Sequence, residues 1–431
     1  MRILLKNAHL IDPIQDQVKL GNLSIQDGKI SDVSYDNVKI DYKVFDNVID
    51  CSGKYVAPGI VDVGVKICEP GERHKESFRT ASLAAAAGGV TTMVTRPDTI
   101  PAIDTPEKLE FVKNRANTVS PIKIYPMAAL TRERAGLEMT ELGFLSDAGA
   151  IGFTDCDQVI TNNKIMSRSL TYAASLGLLV QGHPQDSTLT AGASATSGKF
   201  SSLKGLPAVN PIAEKIGLER DLALVELTGV KYHFDQLSTA LSLEPLRRAK
   251  SNGMDVTAGV SIHHLTLNEM DIGDYRTFFK IKPPLRSEAD RLAMVGAVAD
   301  GTIDIISSMH TPQDEESKRL PYEEAASGAV GLETILSASL QLFHNGSITL
   351  PQLFRALSLN PAKRFNLPVG TLEQGSSADL VLFDPDVPFV LNRFSLNSKS
   401  KNTPYDETLM QGKVIKTFVN GREIFGDSSR E

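Results

Sequence analysis

The sequence predicts an α/β protein: a (β/α)8 barrel flanked by a smaller β unit built from both ends of the chain. Three observations carry this. Short β-branched runs alternate with helical stretches through the middle of the chain, roughly 58–355, in about eight units of ~30–40 residues. Residues 1–57 and 356–431 hold strands and tight turns, but neither segment could bury a sheet face alone, so they read as one composite domain. No glycine-rich phosphate turn follows the first strand of the middle, which disfavours the alternative, a doubly wound open sheet.

In chain order, strands are expected over 3–5, 18–25 and 29–33, with Gln26-Asp27-Gly28-Lys29 as a turn. Ala57-Pro58-Gly59 is a loop, the apolar run IVDVGV at 60–65 is the first barrel strand, and Glu69-Pro70-Gly71 is a second loop. The alanine-rich run 76–87 is a helix with Gly88-Gly89 as its cap, and VTTMV at 90–94 is strand-like. The alternation continues with strands at 122–128, 151–153, 178–181, 231–234, 255–258 and 303–307. Helices are expected at 140–147, 164–176, 218–227, 243–252 and 286–299. The C-terminal unit returns to strands at 378–383 and 414–419. The small, polar segment 188–210 reads as a mobile surface loop and a place for partner contact.

Hydrophobic content of 41% and charged content of 23% fit a soluble globular protein. The net charge of -7 has mixed signs and no long block of either, which argues against nucleic acid as a partner. No apolar run reaches the ~18–20 residues of a membrane span. The opening MRILLKNAHLIDP lacks the features of a signal peptide and reads as a strand. Cys51, Cys68 and Cys156 have no metal-type spacing and suit reduced thiols in a cytoplasm.

Functional groups of a barrel gather at the C-terminal ends of its strands. The residues to weigh are therefore 64–68, 95–98, 154–157, 181–186, 236–239 and 308–313.

A run of short motifs carries a more specific signal: PGIVDVGVKICEPG (58–71), AAAAGGVTT (84–92), GAIGFTD (149–155), HFDQLST (233–239), HHLTL (263–267), KIKPPLRSEADR (280–291), GTIDIISSMHTP (301–312), EEAASGAVGLET (323–334), NPAKRFNLP (360–368), GSSADLVLFDPD (375–386) and SKSKNTPYDE (398–407). In this order, over almost the whole chain, they resemble the dihydroorotase family of the amidohydrolase superfamily. The resemblance implies a metal-dependent hydrolase barrel with a flanking composite β-sandwich, and a place in pyrimidine biosynthesis.

It also implies a site that this sequence has altered. The family's six zinc positions fall on Gly64, Lys66, Asp155, His183, Gln236 and Met309; only Asp155 and His183 keep a ligand of the family's type. Glycine has no side chain, an ammonium has no lone pair, and a thioether is soft, so zinc is expected to be absent and no cofactor to replace it. The family's proton-shuttling aspartate is Met309, which cannot exchange a proton. Four substrate-holding positions fall on Cys68, Asp98, Lys282 and Gln313. Cysteine removes a bidentate carboxylate clamp, and Asp98 would repel an anion unless Lys282 or Arg96 compensates.

Individual residues admit two readings. Lys66 is either a catalytic amine with a lowered pKa or a charge that replaces the missing metal beside Asp155. Asp155 and His183 are either an acid–base pair or polar groups kept by hydrogen bonds. His310 could serve as a base; His233, His263 and His264 read as structural. Cys68 beside Lys66 would have a favoured thiolate but no partner base. The resemblance points to a pseudo-dihydroorotase: not an enzyme, but a structural or activating subunit for aspartate carbamoyltransferase, itself a homo-oligomer (dimer). The alternative is an active dihydroorotase or other cyclic amidohydrolase with a rearranged or absent metal.

Overall fold

In the computed structural model, which describes residues 1–35 and 41–426, apolar side chains on one face of the first strand start the core. That strand is β1 (Arg2–Asp12), and its Ile3, Leu5, Ala8 and Leu10 pack with Leu23 and Ile25 of β2 (Gln17–Gln26). β3 (Lys29–Ser34), β4 (Asn47–Asp50) and β5 (Tyr55–Pro58) follow. The middle of the chain supplies β6 (Ile60–Val65), β7 (Val90–Thr95), β8 (Lys123–Pro126) and β9 (Leu179–Gly182). Then come the two-residue β10 (Ala195–Thr196) and β11 (Ala208–Val209), β12 (Lys231–Phe234), β13 (Val256–Ser261) and β14 (Ile305–Ser307). β15 (Leu380–Val390), β16 (Leu409–Val419) and β17 (Arg422–Gly426) end the described chain.

The two ends of the chain share one mixed sheet in the order β17-β16-β15-β5-β1-β2-β3, with β4 added on β1. Its seam is the antiparallel pairing of β5 with β15, from Leu380 opposite Pro58 to Phe383 opposite Tyr55. The seam lies immediately before β6, so the terminal sheet fixes where the first barrel strand starts.

In the middle, β6, β7 and β8 are parallel neighbours, and so are β9, β12, β13 and β14. Phe153 bridges the two groups, pairing with Ala128 on one side and Val180 on the other. The strand expected at 151–153 is reduced to that one bridging residue. Among the described residues no ladder joins β14 to β6. The gap is held by Lys66 N donating to His310 O at 2.9 Å and by the buried Asp62, which accepts from Ser308 N at 2.8 Å and from the Ser308 hydroxyl. The middle is thus an α/β arc of parallel strands whose first and last members are tied by hydrogen bonds.

The helix over Phe78–Ala87 begins at a Ser77–Thr80 capping box and ends at Gly88. The helix expected at 218–227 is longer, Ile212–Thr228; its first turns bury Ala213 and Glu214 while Ile212 and Ile216 are exposed, so they break the apolar period. Helices at Pro106–Val119 and Ile335–His344 were not predicted. The first buries only Leu109, Val112 and Ala116, so its apolar period is weak; the second is buried on nearly every side, so it has none.

Segment 188–210 is not the mobile loop its composition suggests. Ala195, Phe200 and Leu206 are buried against Ile272, Phe279 and Leu285, and Thr196 Oγ1 donates to Leu285 O at 2.8 Å. Sparse apolar anchors in a polar stretch suffice when a neighbouring loop receives them. No helix of the described residues is long and apolar enough to cross a membrane.

Candidate functional site

Where β6, β7, β12, β13 and β14 end, their following residues enclose a cavity of about 190 Å³. Lys66, Arg96, Gln236 and Met309 line it from the strand ends, with Arg134, Asp157, His263, Lys282 and Gln313 around them. This is the face on which a parallel barrel collects its functional groups.

Charge dominates the cavity. Arg96, buried, donates from Nη2 to Asp98 at 2.8 Å and lies 3.5 Å from Asp157. Lys66 Nζ is 3.4 Å from Asp98, Arg134 is 4.0 Å from Asp98, and Lys282 Nζ is 3.3 Å from Asp157. Burial pushes the Asp98 and Asp157 carboxyls up, but Arg96 and the neighbouring cations outweigh it and hold both below their ordinary values. Burial likewise works against the Lys66 ammonium, and Asp98 and Glu72 overcome it, raising its pKa. Lys66 is therefore a protonated cation, and the reading as an amine of lowered pKa is corrected. Asp98 does not stand as an uncompensated repulsive charge, because three cations surround it.

The expectation that Lys66 lies beside Asp155 is not met: Lys66 pairs with Asp98 and Glu72. Asp155 points to the loop after β8, where it accepts from Leu130 N and Thr131 N at 3.0 Å each and from the Thr131 hydroxyl. Three donors on one carboxylate make it an anchor for that loop. His183 is buried with both ring nitrogens unpartnered, and burial together with Lys282 lowers its pKa to about 3. Gly64 has φ +81°, and a Cβ there would meet Met309 Sδ at 3.0 Å. Gln236 is buried with φ 53° and faces the cavity. Among the described residues no three His, Cys, Asp or Glu side chains are grouped to hold a metal ion. With Asp155 turned to Leu130 and Thr131 and with Gly64, Lys66, Gln236 and Met309 in the other places, the residues present do not fit zinc.

The four substrate-position residues are spread differently. Asp98, Lys282 and Gln313 line the cavity, and Gln313 Nε2 donates to Ser327 O at 2.8 Å. Cys68 is buried beside it. Burial pushes its thiol up to about 12, and Lys66 only partly opposes this, so the expected favoured thiolate is corrected.

The histidines divide. His310 is fully buried against Glu76, its Nε2 3.4 Å from the carboxylate, and Gly331 N donates to its Nδ1 at 3.3 Å; it is part of the fold, not a base in the cavity. His233 Nδ1 pairs with Thr257 Oγ1 at 2.8 Å, as a structural residue would. His263, expected to be structural, lines the cavity with both ring nitrogens unpartnered. Sequence reasoning also missed Arg134, Asp235 and Glu214. Glu214 takes Ser238 N and Thr239 N at 3.0 Å each and lies 3.5 Å from Arg286, fixing the loop that carries Gln236. A buried acid on a helix has no local signature; its partners lie 24 or more residues away.

The class that this fold and site define is an α/β protein with a cation-rich cavity at the C-terminal ends of its parallel strands. Residues 53–242 match the family model described as "Dihydro-orotase-like". The dihydroorotase of Wolbachia sp. subsp. Drosophila simulans (strain wRi) is 38% identical over 429 residues, covering 99% of this chain and 96% of that protein. The dihydroorotase of Syntrophus aciditrophicus (strain SB) is 37% identical over 427 residues, covering 99% of each. Among solved structures, the L-hydantoinase (dihydropyrimidinase) from Arthrobacter aurescens superposes with TM-score 0.89 at 24% identity, covering 98% of this chain and 96% of that one. Dihydropyrimidinase from Brevibacillus agri NCHU1002 gives 0.84 at 20% identity, covering 99% and 95%. These two share the fold. The chain belongs to the dihydroorotase family. The expectation that it is not an enzyme, drawn from the replaced zinc positions, is corrected by these relatives: proteins that bear an enzyme's name match it from end to end.

Proposed function

We propose that this chain is a cyclic amidohydrolase of the dihydroorotase type, acting in pyrimidine biosynthesis on a small anionic cyclic amide and its ring-opened N-carbamoyl amino acid. Ring opening adds one water across the C–N bond; ring closure returns it. The observation that carries the reading is the cavity's charge: Lys66, Arg96, Arg134 and Lys282 against Asp98 and Asp157 leave a positive excess that suits an anion. Arg96 Nε and Arg134 Nη1 are buried without hydrogen-bond partners, so donors remain for a ligand's oxygens. His263, neutral because burial lowers its pKa to about 3, and Gln236 also line the cavity and can meet an uncharged amide edge.

The chain's roles follow from these positions. The arginines and Lys282 bind and orient carboxylate oxygens. Gln236 and His263 hold the ring's polar edge, and Met309 closes the floor of the cavity beside Gly64. A cytoplasmic setting, a homo-oligomeric state and association with aspartate carbamoyltransferase belong to the same reading, and co-purification with that enzyme checks the last.

Calorimetric titration with dihydroorotate and with N-carbamoyl-L-aspartate tests the cavity. Both should bind, and Arg134→Met should weaken them by about tenfold. Absence of binding by either compound, or an Arg134→Met variant that binds equally well, would contradict the assignment.

A further inference from the structure

We propose that the barrel mouth carries fixed side-chain cations in place of a bound metal: the Arg96 guanidinium, with the Lys66 ammonium beside it. The inference deepens the hydrolase reading and rests on it only for what these charges would act upon.

Four independent observations converge. The space in front of Gly64 is filled by Met309, whose sulfur would lie 3.0 Å from any Cβ placed there, so neither position offers a ligand that suits zinc. Lys66, just past the end of β6, brings a protonated amine to the mouth, and an ammonium both lacks a lone pair and repels a cation. Asp155 spends its oxygens on Leu130 and Thr131. Arg96 reaches from the end of β7 to Asp98 and Asp157 and faces the charge of Asp235, so one buried guanidinium serves carboxylates from three strand ends.

Coulomb's law decides between the alternatives. A divalent cation brought among Arg96, Lys66 and Arg134 would meet three positive charges in a partly buried site, where each interaction is several times stronger than in water. The carboxylates that could have drawn it in are already neutralised at 2.8–3.5 Å. A guanidinium supplies the same attraction permanently, and its planar fork leaves Nε free for a ligand.

The test uses the full chain, expressed in zinc-supplemented medium and purified without chelator. Its metal content is measured by elemental mass spectrometry, and its thermal unfolding with EDTA or with added zinc chloride. The expected result is below about 0.1 zinc per chain and the same Tm in both solutions. Zinc near one or two per chain, or a Tm that drops by several degrees with EDTA, overturns the proposal. Arg96→Met should lower Tm by about 4 °C or more, with Arg96→Lys restoring part of it. An unchanged Tm in Arg96→Met counts against the role of Arg96. If Arg96→Met fails to fold, Lys66→Met provides the same comparison. Failure of the hydrolase reading looks different: a zinc-free chain that turns over no cyclic amide removes that reading and leaves this one standing.

Discussion

At the scale of single residues, burial decides more than sequence neighbours do. Cys68 follows Lys66 by two positions, and proximity alone suggests a reactive thiolate. The structure buries the thiol, and Cys51 and Cys156 are buried as well, with all three pushed up to about 12. Native protein at pH 8 should therefore resist iodoacetamide, and all three thiols should react once the chain is unfolded; rapid native labelling of Cys68 would contradict this. Asp98 gives the opposite sign. Burial pushes its carboxyl up, but Arg96, Lys66 and Arg134 prevail and hold it below 3.8. A carboxylate with a depressed folded-state pKa adds stability that is complete above its unfolded value and is lost as pH falls through the folded one. The share of stability that Asp98 contributes should thus be complete above about pH 4, so the Tm deficit of Asp98→Asn relative to the native chain should be constant above that pH and shrink below it.

At the scale of elements, the local order was readable and the tethers between elements were not. The apolar run that forms β6, the capped helix Phe78–Ala87 and the β-branched run that forms β7 follow from periodicity and capping residues that lie next to one another. Asp62 does not announce itself in that way. It sits inside an apolar strand, and its purpose appears only where Ser308, 246 residues later, donates to it. Arg286 is similar: buried, it donates to Ser238 at 3.0 Å and to Thr196 at 3.2 Å, pinning β10 to the loop that carries Gln236. Removing the Asp62 carboxylate leaves Ser308 N without a partner in the core. Asp62→Ala should cost about 3 kcal/mol of unfolding free energy, and Asp62→Asn, which keeps an acceptor, about 1 kcal/mol. Urea denaturation followed by circular dichroism measures both; equal costs would mean that the hydrogen bond does not hold β14 to β6.

At the scale of the molecule, the motifs ordered along the chain identify the family because they mark turns and strand ends that the fold needs in sequence. The same motifs say less about the site, because a site is assembled from strand ends and its net character is a sum over all of them. Gly64, Lys66 and Met309 read singly as losses. Placed together with Arg96, Arg134, Asp157 and Lys282, Lys66 and Met309 bound a cavity with its own charge balance. Arg134 contributes from a position that no motif highlights. The central claim is that this cavity interconverts a cyclic amide and its N-carbamoyl amino acid, and the most direct measurement is turnover by the purified full chain, followed in both directions with dihydroorotate and N-carbamoyl-L-aspartate. The account predicts interconversion in both directions, with kcat/KM reduced about a hundredfold in Arg96→Met. No turnover in either direction by folded protein, or turnover that Arg96→Met leaves unchanged, would contradict it.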